Sequence, residues 1–149
     1  MTTRTSNVPQ AVQAARALLG LIALTHLVIA AVMGGRQDSL RAQIAAGHPE
    51  FDAAEVARSA HVAVVSGAVF HGLLLVLCVF LGVKLATGRP WTRRLATVSQ
   101  LLSVVFGVVS WSSSPMFHAV VPVVAVAQLA VVALLWAPVT TRGFFTAAR

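Results

Sequence analysis

No aspartate or glutamate falls inside any of the four long apolar runs of this 149-residue chain, whose only acids are Asp38, Glu50, Asp52 and Glu55. A small proton-coupled transporter normally needs an intramembrane carboxylate, so that class loses its carrier. Tyrosine is missing, lysine occurs once, and Cys78 is the single cysteine. One thiol forms neither an internal disulfide nor a CxxC pair, which excludes thiol–disulfide exchange. Neither HExxH nor GxSxG occurs, and no pair of membrane aspartates does, so intramembrane hydrolysis lacks its usual machinery.

What the chain has is apolar length. Hydrophobic residues make up 58% and charged residues 10%, against about a quarter charged in soluble domains. That balance reads as a membrane protein. The formal charge of +7 does not point to nucleic acid, because the cations flank apolar runs and do not interleave with aromatics on a soluble module. They read as topology determinants and as contacts with anionic lipids. Richness in Ala, Val and Arg suggests a GC-rich bacterial genome.

Spans are expected over about 14–33, 61–83, 95–111 and 119–137, each close to the roughly 20 residues that cross a bilayer. The first is read as retained and not as a cleaved signal peptide, because it is long, has an extended N-terminal flank and lacks a clean A-x-A site before Arg36. Arg16 is expected to snorkel to the near interface. Eight of the eleven cations (Arg4, Arg16, Lys84, Arg89, Arg93, Arg94, Arg142 and Arg149) then lie on one side with no acid among them. The positive side is the cytoplasm. Segment 34–60 carries Arg36, Arg41 and Arg58 against all four acids and lies outside.

The expected fold is therefore all-α: a polytopic membrane protein, an antiparallel four-transmembrane-helix bundle, with N and C termini cytoplasmic. It forms a single membrane domain with a short, partly helical extracytoplasmic loop. In that loop Asp38 is expected to cap a short helix through Leu40 and Ile44 that stops at Gly47 before Pro49. Asp52 and Glu55 are spaced as a capping box for the second span. Gly88 and Pro90 break the chain at the basic cytoplasmic turn, and Ser112–Pro115 makes an outer turn.

Polar side chains in hydrocarbon must find partners, so they mark helix contacts or functional sites. His26 lies ten residues beyond Arg16, His71 ten beyond His61, and Gln128 ten beyond His118, which places all three at a similar mid-membrane depth. Small residues surround the histidines: Gly20, Ala23, Ala30 and Gly34 on the first helix, Ala63 and Gly67 on the second. Both imidazoles are expected to point into the bundle. The simpler account is that His26, His71 and Gln128 bond one another or backbone carbonyls and fix helix register. The sharper account makes the two imidazoles axial ligands of a b-type haem, with Gly20, Ala23 and Gly67 giving clearance. Ser99, Ser103 and Ser110, with Gln100, are expected to bond between helices. His48, His61 and His118 lie toward the outer face near Glu50, Asp52 and Met116, without the tight spacing of a metal motif.

Three stretches, LRAQIAAGHPEFDAAEV, ATGRPWTRRLATV and LLWAPVTTRGFF, together resemble a group of small four-span membrane proteins of actinobacteria. In that group an "LR…I…P…EV" outer segment, an "NGR.WAR..AT" cytoplasmic turn and an "LLW.P.S..YF" terminus recur. This chain departs at Thr87, where Asn is usual, and at Ala137, where a basic residue is common. The resemblance implies a fold and the cytoplasmic membrane of a bacterium as compartment, and it assigns no reaction.

The function expected from these features is a non-enzymatic accessory or scaffold protein that associates laterally with itself or with a larger membrane complex. The alternatives are a haem- or quinone-binding redox protein using His26 and His71, and a small-solute or lipid carrier whose cavity reaches Gln128 and the two histidines. No metal ligands and no nucleic-acid partner are expected.

Overall fold

The computed structural model describes residues 8–113 and 118–147. They form α1 (Gln10–Gly35), α2 (Gln37–Gly47), α3 (Ala53–Lys84), α4 (Pro90–Ser113), α5 (Val120–Trp136) and α6 (Val139–Ala147), with a 3₁₀ turn over Leu85–Thr87. No strand occurs among the described residues. Of the expected turn Ser112–Pro115, Ser112 and Ser113 still belong to α4, and Ser114 and Pro115, with Met116, Arg4 and Arg149, lie outside the described residues.

Helix ends follow local chemistry. Pro9 precedes α1, and its carbonyl accepts the Gln13 N–H at 3.0 Å. Asp38 is not the cap of α2. Arg36 holds that position, and only this one residue separates α1 from α2, so Asp38 falls inside the first turn and meets Arg41 at 3.5 Å. A carboxylate there still favours the helix dipole. Gly47 ends α2 as expected, and the His48 N–H closes it on the Ile44 carbonyl at 2.9 Å. The capping box forms in full: the Glu55 N–H donates to Asp52 Oδ1 at 2.8 Å and the Asp52 N–H to Glu55 Oε2 at 2.9 Å. From there α3 runs 32 residues, about 48 Å at about 1.5 Å per residue. It enters the 3₁₀ turn, which Gly88 ends at φ 68° in the left-handed region. Pro90, with no N–H to lose, occupies the first position of α4.

Three helices, α1, α3 and α4, are long and apolar enough to cross a membrane. The count becomes four if α5 and α6, bent by 68° after Trp136, make one span. Only 22%, 11% and 17% of the most apolar windows of α1, α3 and α4 is buried within the chain. Residues such as Leu24, Leu27, Leu73, Val76 and Val105 stand exposed, a surface that suits lipid and not water.

The described chain divides into two compact units. One combines the segment up to Ile22 with everything from Cys78 onward. Its core is drawn from helical faces at three- and four-residue spacing: Val12, Ala15, Leu19 and Ile22; Cys78, Leu81 and Leu85; Ala96, Ser99 and Gln100; Gln128, Val131 and Leu135; Thr141 and Phe145. Within it α4 packs along α5, and α6 packs on both. The other unit, Ala23–Leu77, holds α2 and the remaining parts of α1 and α3. Ala23, His26 and Ala60 are its buried residues.

Candidate functional site

Within Ala23–Leu77 the approach of α1 and α3 is set by a small residue. A methyl group added at Gly67 would stand 2.6 Å from Met33 Cε, so the absent side chain is what lets Met33 lie against α3. His71 follows Gly67 by four residues and shares its face. His26 precedes Met33 by seven, two turns along the same side of α1. The two imidazoles meet with Nδ1 to Nδ1 at 3.0 Å, ring centroids 5.2 Å apart and planes tilted by 35°. The Phe70 ring stands edge-on to His71 with centroids 5.6 Å apart.

A bond between two Nδ1 atoms fixes the tautomers as a pair: one ring donates Nδ1–H, and the accepting ring carries its hydrogen on Nε2. His26 is 5% exposed, and its Nε2 is buried without a hydrogen-bond partner. An orphaned N–H in such a place is costlier than a bare lone pair. His26 is therefore assigned as the donor and the half-buried His71 as the acceptor. The pair holds one hydrogen between its rings and leaves a lone pair on His26 Nε2.

The same geometry tests the haem expectation. Two metal–imidazole bonds of roughly 2 Å, set opposite each other, hold the nitrogens about 4 Å apart with a macrocycle between them. The observed 3.0 Å is a direct hydrogen bond. Nor is the expected clearance there: the space at Gly67 is filled by Met33, Ala23 is buried, and Gly20 faces open space on the surface. The residues as arranged do not fit a haem between these rings. Gln128, expected at the same depth, is buried in the other unit on the face of Val131 and Leu135.

Other polar residues settle differently from expectation. The Ser99 hydroxyl donates to the Ala96 carbonyl and the Ser110 hydroxyl to the Phe106 carbonyl, each at 2.9 Å, so both bond within α4 and not across to another helix. A serine reaches the carbonyl three or four residues back without needing a neighbour. Gln100 does reach across: its Nε2 lies 3.9 Å from Cys78 Sγ on α3 and 3.4 Å from Ser99 Oγ, while its Oε1 is buried without a partner. Arg16 has a defined partner. It donates Nε–H at 2.6 Å to the Gly82 carbonyl, in the last turn of α3, where helix carbonyls lack intrahelical partners.

His48 and His118 have local partners. His48 lies 3.0 Å from Glu50 and stacks on Phe51 with centroids 4.6 Å apart. His118 donates Nε2–H to the Trp111 carbonyl at 3.0 Å. Glu50, exposed to solvent, is held below the usual carboxylate range, first by a hydrogen bond from its own backbone N–H and then by His48. Among the described residues no three His, Cys, Asp or Glu side chains converge as a metal-binding group.

Sequence reasoning missed one feature, the setting of Arg93. Its guanidinium carbon stands 3.5 Å from the centroid of the Trp136 ring and 5.7 Å from that of Phe145. A cation and aromatics 43 and 52 positions apart carry no local signal; the bend after Trp136 brings them together. Comparisons with protein-family models, curated proteins and solved structures found no match to this chain.

Proposed function

We propose that the chain is a polytopic protein of a bacterial cytoplasmic membrane that works as a non-enzymatic accessory subunit, associating laterally with itself or with a larger membrane complex. In this reading α1, α3, α4 and α5 are four crossings of an antiparallel bundle, with both termini in the cytoplasm and residues 34–60 outside. Arg4, Arg16, Lys84, Arg89, Arg93, Arg94, Arg142 and Arg149 support that orientation, since no acid lies among them in sequence. The likeness to small four-span actinobacterial membrane proteins agrees with it. Anionic lipid at the cytoplasmic face is the expected environment.

The observation that carries lateral association is a set of small residues left uncovered. Ala68 and Gly72 on α3 are spaced four apart and exposed, with nothing within 4 Å of where a side chain on Gly72 would begin. Small residues at this spacing let two membrane helices approach closely. Chromatography with light scattering in mild detergent tests the reading. An oligomer or a stoichiometric complex is expected, and Gly72→Leu with Ala68→Leu should dissociate it. A strictly monomeric species with no copurifying partner would count against it.

A second reading is favoured by His26 Nε2, whose buried lone pair lacks a donor. A quinol-class hydroxyl would supply one. Retention of a quinol on protein purified under reducing conditions, lost in His26→Leu, tests this; quinol-free protein from quinol-replete membranes overturns it.

A further inference from the structure

We propose that Arg93, Arg94 and Arg142 build a binding site for a phosphate group, carried by an anionic lipid headgroup or free in the cytoplasm. The inference rests on the membrane placement argued above and not on lateral association.

Proline at the first position of α4 puts Arg93 and Arg94 in its opening turns. The 68° bend between α5 and α6 lays α6, with Thr141 and Arg142, beside them. Arg93 is thereby buried to 8% exposure against Trp136 and Phe145, and its Nε has no hydrogen-bond partner. Arg142 and Arg94 both lie close enough to act on it electrostatically. No Asp or Glu occurs anywhere in this unit, because all four lie within 38–55. A second polar group is also stranded: Thr141 Oγ1 is fully buried without a partner.

A buried charge is retained where it is paired or hydrogen-bonded. The Trp136 face stabilises the cation but engages only its π surface, leaving the N–H groups at the guanidinium edge to find an oxygen. A buried guanidinium group repelled by two exposed ones, Arg94 and Arg142, asks for an anion with several acceptor oxygens. Phosphate has that shape, and the planar fork of arginine matches it with two parallel bonds. At a membrane surface phosphodiesters are the most abundant such group.

The full chain carrying Trp91→Phe and Trp111→Phe, in a neutral detergent, keeps Trp136 as the reporter beneath Arg93. Titration with phosphatidylglycerol should give a saturable change in emission. Arg93→Gln with Arg142→Gln should weaken binding by about tenfold or more, the scale of one lost charged hydrogen bond. Arg36→Gln with Arg58→Gln, an equal loss of charge in the other unit, should leave it unchanged. Exposed Arg142→Gln alone, which disturbs no buried side chain, should still weaken binding measurably and keeps the test open if the Arg93 variant fails to fold. Inorganic phosphate that produces the same change and displaces the lipid identifies free phosphate as the ligand; phosphate without effect beside a saturable lipid response identifies the headgroup. An equal response in both double variants, or no saturable response to either probe, overturns the site. Alkaline washing of membranes separates the two readings: protein released into solution overturns the membrane placement, whereas protein retained but unresponsive overturns this inference alone.

Discussion

In Ala23–Leu77 each acid of the chain has a local partner: Asp38 meets Arg41, Glu50 meets His48, and Asp52 and Glu55 cap one another's backbone. In the unit made from the flanking segments the described cations, Arg16, Lys84, Arg89, Arg93, Arg94 and Arg142, share that unit with no Asp or Glu. There the partners are a carbonyl for Arg16, the Phe80 ring for Lys84 at 5.9 Å, and the Trp136 ring for Arg93. Carboxylate partners cancel charge. Carbonyls and rings stabilise a cation while leaving its charge in place. The two regions differ in kind of partner more than in number of charges.

The largest expected effect tests the backbone of the cation-rich unit. At Gly88 the φ of 68° is unfavourable for any side chain, and an added Cβ would stand 3.2 Å from the Phe144 carbonyl oxygen. That neighbour is backbone and cannot swing away. Gly88→Val should cost about 2–4 kcal/mol, combining left-handed strain with overpacking, read as a lower thermal midpoint in detergent. Gly143, in α6 with open space at its Cβ position, should respond in the opposite sense: Gly143→Ala should stabilise by about 0.5–1 kcal/mol. Equal losses at the two glycines would break the claim that the Gly88 turn is specially constrained.

Next in size is the histidine pair. His71→Leu leaves His26 buried with neither ring nitrogen bonded, and His26→Leu removes the donor from His71; each should cost about 1–3 kcal/mol. The double leucine variant should recover much of that loss, because removing both partners leaves no stranded polar group. Losses that simply add across the double-mutant cycle would mean the rings are not coupled.

Those two tests fall on features with unequal visibility in the sequence. The Gly88–Pro90 break, the apolar helices and the depth shared by His26 and His71 were legible, because they depend on residue type and on counting along one helix. Their pairing into a 3.0 Å contact was legible only as an expectation that both point inward. Asp38 was misassigned because Asp reads as a cap wherever it precedes a helical pattern, and the sequence does not announce that α1 continues to Gly35. Ser99 and Ser110 misled because a hydroxyl in hydrocarbon satisfies itself on its own helix. Helix α6 and the stacking of Arg93 were not legible, since nine residues after a proline give little periodicity and the stack exists only after the chain bends.

A smaller effect is expected at the start of α3, where the acid-rich unit depends on capping. Asp52→Ala removes the acceptor of the Glu55 N–H and should cost about 1 kcal/mol. Hydrogen exchange over 53–56 should quicken while the cation-rich unit is unaffected, because its helices begin without acidic residues in their first turns. Faster exchange in both would mean that the box supports more than its own helix.

The smallest effect concerns Glu50, the acid with no role assigned from sequence. Its carboxyl titrates below the usual range, with its own backbone N–H as the larger cause and His48 as the smaller. A carboxyl lowered in the folded state favours folding above its unfolded pKa, and that contribution fades as pH falls through the folded value. Full exposure makes the stability change too small to follow by melting, so the side-chain carbon shift in an NMR titration is the measurement. The midpoint should lie below that of an unpaired glutamate. His48→Ala should raise it only part of the way, because the backbone bond survives the substitution. A full return to the ordinary value would make His48 the main partner of Glu50 and extend side-chain pairing to the whole acid-rich segment; no movement would leave Glu50 held by backbone alone, as the cations of the other unit are held without carboxylates.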